Sequence, residues 1–188
     1  ASGGTLSNLN ALIAARNNAG LGSDPNSVLL VSEDAHSSFV KCIRVMGLDT
    51  RNLVRIKTDN QGRMDINDLR NSLDKCSIEN KKIFAIVATL GTTVRGAIDP
   101  IKEISEICKQ RNIWLHIDGS IGGIFAITSI PIEGLNNINQ ANSITINPQK
   151  IIGITKTSSL LLVSNMSTLE NTFNLSLIHI SEPTRLWT

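Results

Sequence analysis

The chain has 188 residues, 41% of them hydrophobic and 18% charged, which is enough apolar content for the core of one domain and too much for a disordered segment. Its 18 basic and 16 acidic residues leave a net charge of +2 with no basic cluster, and aromatics make up only 3%. Neither a phosphate-tracking stripe nor a base-stacking platform is present, so nucleic acid is not an expected partner. No apolar run approaches the roughly 20 residues of a bilayer span, and no charged n-region followed by an apolar h-region opens the chain; no membrane partner is expected either. Cys42, Cys76 and Cys108 are odd in number and widely spaced, which fits reduced structural thiols in a cytoplasmic protein better than a disulfide framework or a zinc site.

In chain order, Leu6, Leu9, Leu12, Ile13 and Ala14 fall three and four apart and predict a helix over Gly4 to Asn17 with one buried face. A turn-rich stretch, Asn17 to Pro25, then gives way to the short apolar strand Val28 to Val31. A helix around His36 to Met46, a strand at Leu53 to Ile56, a helix at Ile66 to Asp74 and a strand at Ile83 to Val87 follow. Next come a helix at Pro100 to Gln110, a strand at Ile113 to Ile117, an irregular stretch over Gly119 to Asn142, and strands at Ser143 to Ile146 and Ser159 to Val163. Helices alternating with short apolar strands predict an α/β fold with a mainly parallel sheet, and such sheets bind ligands beyond the carboxyl ends of their strands.

Polar or reactive residues follow four of these strands: Ser32 to Ser37, Ala88 to Thr93, His116 to Asp118, and Asn147 to Lys150. A parallel sheet brings the four groups to one edge. An ionised Asp118 at the end of an apolar strand needs a partner; it reads either as a strand-end cap or as the partner of a cofactor's protonated ring nitrogen, which makes the ring an electron sink. A metal pair with His116 lacks further ligands at suitable spacing. Lys150 lies among Ile151, Ile152 and Ile154, where a depressed pKa would favour the neutral amine that condenses with an aldehyde. Taken alone it reads more readily as a surface lysine with a buried stem, and Lys156 is the rival amine nearby. Gly3-Gly4-Thr5 at a helix start is either a phosphate site or a simple turn or cap. Thr92 and Thr93 could bond a ring substituent or cap a loop, and His36 could stack on a flat ring or serve the fold alone.

The segments ASGGTLSNLNALIAARN, SEDAHSSFVK, ATLGTTVRGAIDPI, NIWLHIDGSIGG and SITINPQK stand in order. With them the chain resembles the pyridoxal-phosphate-dependent decarboxylases of the glutamate, aromatic-amino-acid and diaminobutyrate decarboxylase group, from Ala1 to about Asn174. The resemblance implies the three-layer, mainly parallel large domain of the aspartate aminotransferase-like transferases, here incomplete. It also implies pyridoxal 5'-phosphate (PLP) as cofactor, with Gly4 and Thr5 at its phosphate and His36 stacked on its ring. Thr93 and Asn147 lie nearby, Asp118 on the ring nitrogen, and Lys150 forms the internal aldimine. Decarboxylation of an amino acid in carboxylic acid metabolism, by a homodimer, is the activity implied. Carbon-carbon lyase chemistry on the same scaffold and a non-catalytic PLP-binding pseudo-enzyme are the competing expectations.

Three features depart from the family pattern. Gln149 stands where a histidine precedes the lysine, and Asp118-Gly119-Ser120 replaces Asp-Ala-Ala. The chain contains no Tyr, whereas the resemblance implies a tyrosine on a mobile loop that protonates the substrate carbon. The sequence reads as a fragment, inactive by itself: residues 1–174 are the PLP-binding part, and LSLIHISEPTR at Leu175 to Arg185 resembles a translated sequencing adapter, with Leu186 to Thr188 as the read that follows. Residues 175–188 are therefore left out of the fold and function reading.

Overall fold

The computed structural model describes residues 1–132, 134–155 and 158–173; the adapter-like segment 175–188 and Lys156 lie outside them. The strands are β1 (Ser27–Ser32), β2 (Leu53–Ile56), β3 (Lys82–Thr89), β4 (Trp114–Gly119), β5 (Ser143–Ile146) and β6 (Leu160–Val163). The helices are α1 (Gly4–Asn18), α2 (Ser38–Val45), α3 (Ile66–Ile78), α4 (Ile101–Arg111), α5 (Pro148–Ile151) and α6 (Met166–Phe173). One six-stranded sheet in the order β2-β1-β3-β4-β5-β6 joins the strands. The first five pair in parallel, and β6 runs antiparallel to β5.

Because successive side chains on a strand point to opposite faces, the sheet needs a cover on both sides. On one face Val28, Leu30, Ile86, Ala88, Leu115 and Ile117 bury against α3 and α4 through Leu69, Leu73, Ile104 and Ile107. On the other, Leu29, Val31, Val87 and Trp114 meet α1 and α2 through Leu12, Ala15, Phe39 and Ile43. The result is the expected three-layer α/β arrangement. Cys42, Cys76 and Cys108 are buried and unpaired, each on a helix of these layers, and burial raises all three thiol pKa values. No helix among the described residues is long and apolar enough to cross a membrane.

Several boundaries differ from expectation for identifiable reasons. Helix α3 continues to Ile78 because Cys76 extends the buried stripe of Leu69 and Leu73. Helix α2 starts at Ser38, not His36, because the His36 ring turns back and its Nδ1 accepts the Ser38 N–H at 3.1 Å. The irregular stretch holds two 3-10 segments, Gly122–Ile127 and Leu135–Gln140. The largest correction concerns α1. Its buried residues are Gly4, Ser7, Asn8, Ala11, Leu12, Ala14, Ala15 and Arg16; Leu12 and Ala14 of the expected apolar face are among them, while Leu6 is 41% exposed. Small and polar residues let α1 settle closely on the sheet, and at Gly4 a side chain would come within 2.8 Å of Ser120 Oγ and 3.0 Å of Asn147 Nδ2. Ser7 Oγ donates to Ser159 Oγ at 2.8 Å, tying α1 to the entrance of β6.

A buried carboxyl fixes the end of β3. Asp99, 1% exposed, accepts the backbone N–H groups of Met64 and Thr89, each at 2.7 Å. Burial pushes its pKa up to about 6 against the opposing pull of these two bonds. Asp99→Asn is expected to leave one buried N–H facing an amide nitrogen that cannot accept, costing about 1–3 kcal/mol in urea unfolding; wild-type stability in the variant would contradict the role.

Candidate functional site

Strands β1, β3, β4 and β5 are neighbours and parallel, so the loops that leave their carboxyl ends share one edge. A cleft of about 550 Å³ opens there between the start of α1 and the exits of β1, β4 and β5. It is lined by Gly3, Gly4, Thr5, Asn8, His36, Ser38, Asp118, Ser120, Asn147, Gln149 and Lys150, together with Ser2, Leu6 and Leu9. Six of the seven site residues expected from sequence therefore line one space: Gly4, Thr5, His36, Asp118, Asn147 and Lys150. The seventh, Thr93, is exposed just past β3 and is not among the lining residues. Its neighbour Thr92 is buried and accepts the Ala97 N–H at 3.0 Å, a loop-capping role.

At the first turn of α1 the backbone N–H groups of Gly4 and Thr5 lie ahead of the first intrahelical bond, which Leu6 and Ser7 make to Gly3. No side chain caps this end, and the helix dipole adds positive potential. Across the cleft, His36 is exposed, and with Nδ1 accepting from Ser38 its proton resides on Nε2. Lys150 is also exposed. The desolvated lysine expected from its apolar neighbours is not found: Ile151, Ile152 and Ile154 are 47%, 55% and 44% exposed, because α5 is a single turn that buries only Pro148. What distinguishes Lys150 is its place on the cleft wall. Gln149, beside it, accepts the Ser158 N–H on Oε1 at 2.7 Å, so its amide holds the approach to β6.

Asp118 is 5% exposed. Its Oδ1 accepts the Ser120 N–H and its Oδ2 the Asn8 amide Nδ2, both at 3.1 Å. Behind it lies a polar set that sequence reasoning missed. His116, fully buried, contacts Asn8 Oδ1 through Nε2 at 3.0 Å and Ser143 Oγ through Nδ1 at 2.8 Å. Trp114 Nε1 donates to the same Ser143 Oγ at 2.8 Å. With both ring nitrogens engaged, His116 has no lone pair for a metal. The missed signal is the period-two alternation of Trp114-Leu-His-Ile-Asp118 and Ser143-Ile-Thr-Ile-Asn147, which puts every second residue, mostly polar, on the α1 face. Two more polar atoms in the cleft, Ser38 Oγ and Asn147 Oδ1, are buried with no hydrogen-bond partner among the described residues, and such groups ask for a ligand.

Burial lowers the His116 pKa to about 4 from 6.5, against an opposing pull from Asp118. Between those values the unfolded chain binds a proton that the folded chain refuses, so the stability from neutral His116 is complete above pH 6.5 and is lost as pH falls toward 4. The slope is at most about 1.4 kcal/mol per pH unit. The raised pKa of Asp99 acts the other way over part of this range in both proteins, so urea unfolding from pH 7.5 to 4.5 is expected to lose more stability with falling pH in the wild type than in His116→Gln; equal slopes would contradict it.

Comparison with known proteins agrees with this picture. A family model described as the pyridoxal-dependent decarboxylase conserved domain matches residues 1–184. The acidic amino acid decarboxylase GADL1 of Xenopus tropicalis is 35% identical over 157 residues, and that of Mus musculus 34% over 174 residues; these matches cover 80% and 89% of this chain. The chain spans 31–32% of the length of these curated relatives. Among solved structures, mouse CSAD superposes with a TM-score of 0.87 at 30% identity, covering 94% of this chain and 39% of that one. Tryptophan decarboxylase of Catharanthus roseus, solved with L-tryptophan, gives 0.83 at 27%, covering 89% and 37%. For fold alone, Oryza sativa TDC, solved with PLP and tryptamine, gives 0.85 at 22%, covering 98% and 40%.

Proposed function

Since the chain belongs to the pyridoxal-dependent decarboxylase family, whose cofactor is PLP, we propose that it forms the cofactor-holding part of an amino-acid decarboxylase with Lys150 as the point of covalent attachment. The observation that carries this reading is the meeting of Gly4, Thr5, His36, Asp118, Asn147 and Lys150 on one cleft. These residues fit the group chemically. The uncapped first turn of α1 and the Thr5 hydroxyl suit a phosphate, and a buried carboxylate suits a protonated ring nitrogen. Ser38 Oγ and Asn147 Oδ1 lack partners that polar ring substituents could supply.

When bound, PLP supplies an electron sink for the pair released as a substrate carboxylate leaves as CO2. The chain's own residues do the rest. Gly4 and Thr5 anchor one end of the cofactor through N–H groups, and His36, its ring fixed by the Ser38 N–H, covers a face. Asp118 keeps a proton on the ring nitrogen, because in a cleft wall 5% exposed an isolated negative charge is costly and a facing cation offsets the cost. The Lys150 amine, exposed on the cleft wall, would hold the cofactor covalently at a place that a substrate entering the cleft can reach. Thr93 has no role in this reading.

Decarboxylation is proposed for the whole protein, and these 188 residues, which contain no Tyr, are assigned cofactor binding without turnover of their own. Carbon-carbon lyase chemistry is the second reading, because the same lysine and aspartate serve both reactions; CO2 release from candidate amino acids separates the two. A homodimer in the cytoplasm is the setting that the reading implies, and the buried unpaired thiols favour a reducing compartment. The tail 175–188 stays proposed as foreign to the domain.

With PLP bound, the wild type is expected to show the visible absorbance of a lysine-bound cofactor and Lys150→Ala to lose it; a band retained in the variant would move the attachment to Lys156. In the full-length protein, Asp118→Ala is expected to lower kcat by roughly 10²–10³-fold, as for removal of a buried charge partner. Unchanged turnover would remove Asp118 from the site.

A further inference from the structure

We propose that His116 is a positioning residue for Asp118, acting through the Asn8 amide in a one-way hydrogen-bond chain, Trp114 to Ser143 to His116 to Asn8 to Asp118. The inference rests on the reading of Asp118 as the carboxylate that faces the cofactor. Its links are 2.8, 2.8, 3.0 and 3.1 Å long, and all four join residues distant in sequence across β4, β5 and α1.

The direction of every link follows from the two ends. An indole N–H only donates, and an ionised carboxylate only accepts. Trp114 therefore gives its proton to Ser143 Oγ. At the other end, Asn8 must turn Nδ2 toward Asp118, which turns Oδ1 toward His116 and requires a proton on Nε2. A neutral ring protonated on Nε2 has a bare Nδ1, and that lone pair takes the Ser143 hydroxyl proton. Each donor and acceptor in the chain is then used once, with none opposed. If Asp118 were protonated and donated to Asn8, the amide would flip and Nδ2 would donate to Nε2. His116 would then need its proton on Nδ1, and with the indole it would take both lone pairs of Ser143 Oγ, leaving the Ser143 proton with no acceptor in the set. The His116 tautomer and the Asp118 charge are thus two readings of one state.

The geometry also explains why these residue types lie in the sheet. Register pairs His116 with Ser143 and Asp118 with Thr145, and alternation puts Trp114, His116 and Asp118 on the face that α1 covers. Ser143 and His116 cannot reach the cofactor cleft and are absent from its lining; their contribution passes through Asn8, which is in that lining. His116 has no rotational freedom here, since each ring nitrogen is held. Asn8 is held in turn, so the amide meets Asp118 with N–H rather than C=O. The other oxygen of Asp118 is filled from the backbone of Ser120, so both oxygens are oriented before any ligand arrives.

The test starts without cofactor, by ¹⁵N NMR of His116 in the chain at pH 7. The expected spectrum is a neutral ring with the proton on Nε2; a proton on Nδ1, or on both nitrogens, would overturn the chain. PLP affinity then reads its consequence. His116→Gln can accept from Ser143 and donate to Asn8, and is expected to bind PLP within about threefold of the wild type. His116→Leu, and Asn8→Asp, which sets oxygen against oxygen at Asp118, are expected to weaken binding about tenfold or more. If His116→Leu does not fold, Asn8→Asp and the tautomer decide the matter. Equal affinity in His116→Gln and Asn8→Asp would refute the positioning role. Asp118→Asn separates this inference from the reading beneath it: wild-type PLP affinity there would refute the role of Asp118 toward the cofactor, while the tautomer would still test the chain.

Discussion

The rest of the structure turns on a carboxylate held almost out of water at the end of a central strand. Asp118 is 5% exposed at the exit of β4, with parallel strands on either side. A charge in that place must be met by donors. Two of them come from the chain itself, the Asn8 amide and the Ser120 N–H. Asn8 can reach it only because α1 lies close on the sheet, and that approach requires glycine, serine, asparagine and alanine on the buried side of α1. The same approach brings the open first turn of α1 to the cleft. One electrostatic requirement thus links a helix composition, a strand alternation and the shape of the site.

Much of this was legible in the sequence, and the limits are instructive. Strand β2 and strand β5 have the bounds that the apolar runs indicate, and the parallel order places the four polar strand exits on one edge as expected. Hydrophobic periodicity found only part of the α1 face: Leu12 and Ala14 are buried as expected, but Leu6 is not. Its leucines suggested an apolar stripe, but the helix covers a polar part of the sheet and turns its small residues inward. Periodicity assumes that burial means apolar contact, and at Ser7 and Asn8 burial means hydrogen bonding. The same assumption hid Asn8 and Ser143, and with them the part His116 plays as a buried hydrogen-bond relay. Lys150 shows the converse. Its apolar neighbours suggested a desolvated amine, yet a one-turn helix presents them to the outside.

Two of the three departures from the family pattern, at residues 149 and 120, differ in consequence. Gln149 turns its carbonyl oxygen to the Ser158 N–H and so serves the backbone between α5 and β6, with no ionisable group at that spot. Ser120 touches the site directly: its N–H binds Asp118, and its hydroxyl lies where any side chain at residue 4 would collide with it. The first exchanges chemistry for structure, and the second adds a polar group to the wall of the cleft.

The central claim is that Asp118 is an oriented carboxylate whose purpose is to keep a cofactor ring nitrogen protonated. It is tested most directly by binding PLP labelled with ¹⁵N in the ring and following that nitrogen by NMR in the wild type and in Asp118→Asn. A protonated nitrogen in the wild type, persisting well above the pH at which the free ring loses its proton, and an unprotonated one in the variant, is the expected result. An unprotonated nitrogen in the wild type, or the same protonation in both proteins, would contradict the account.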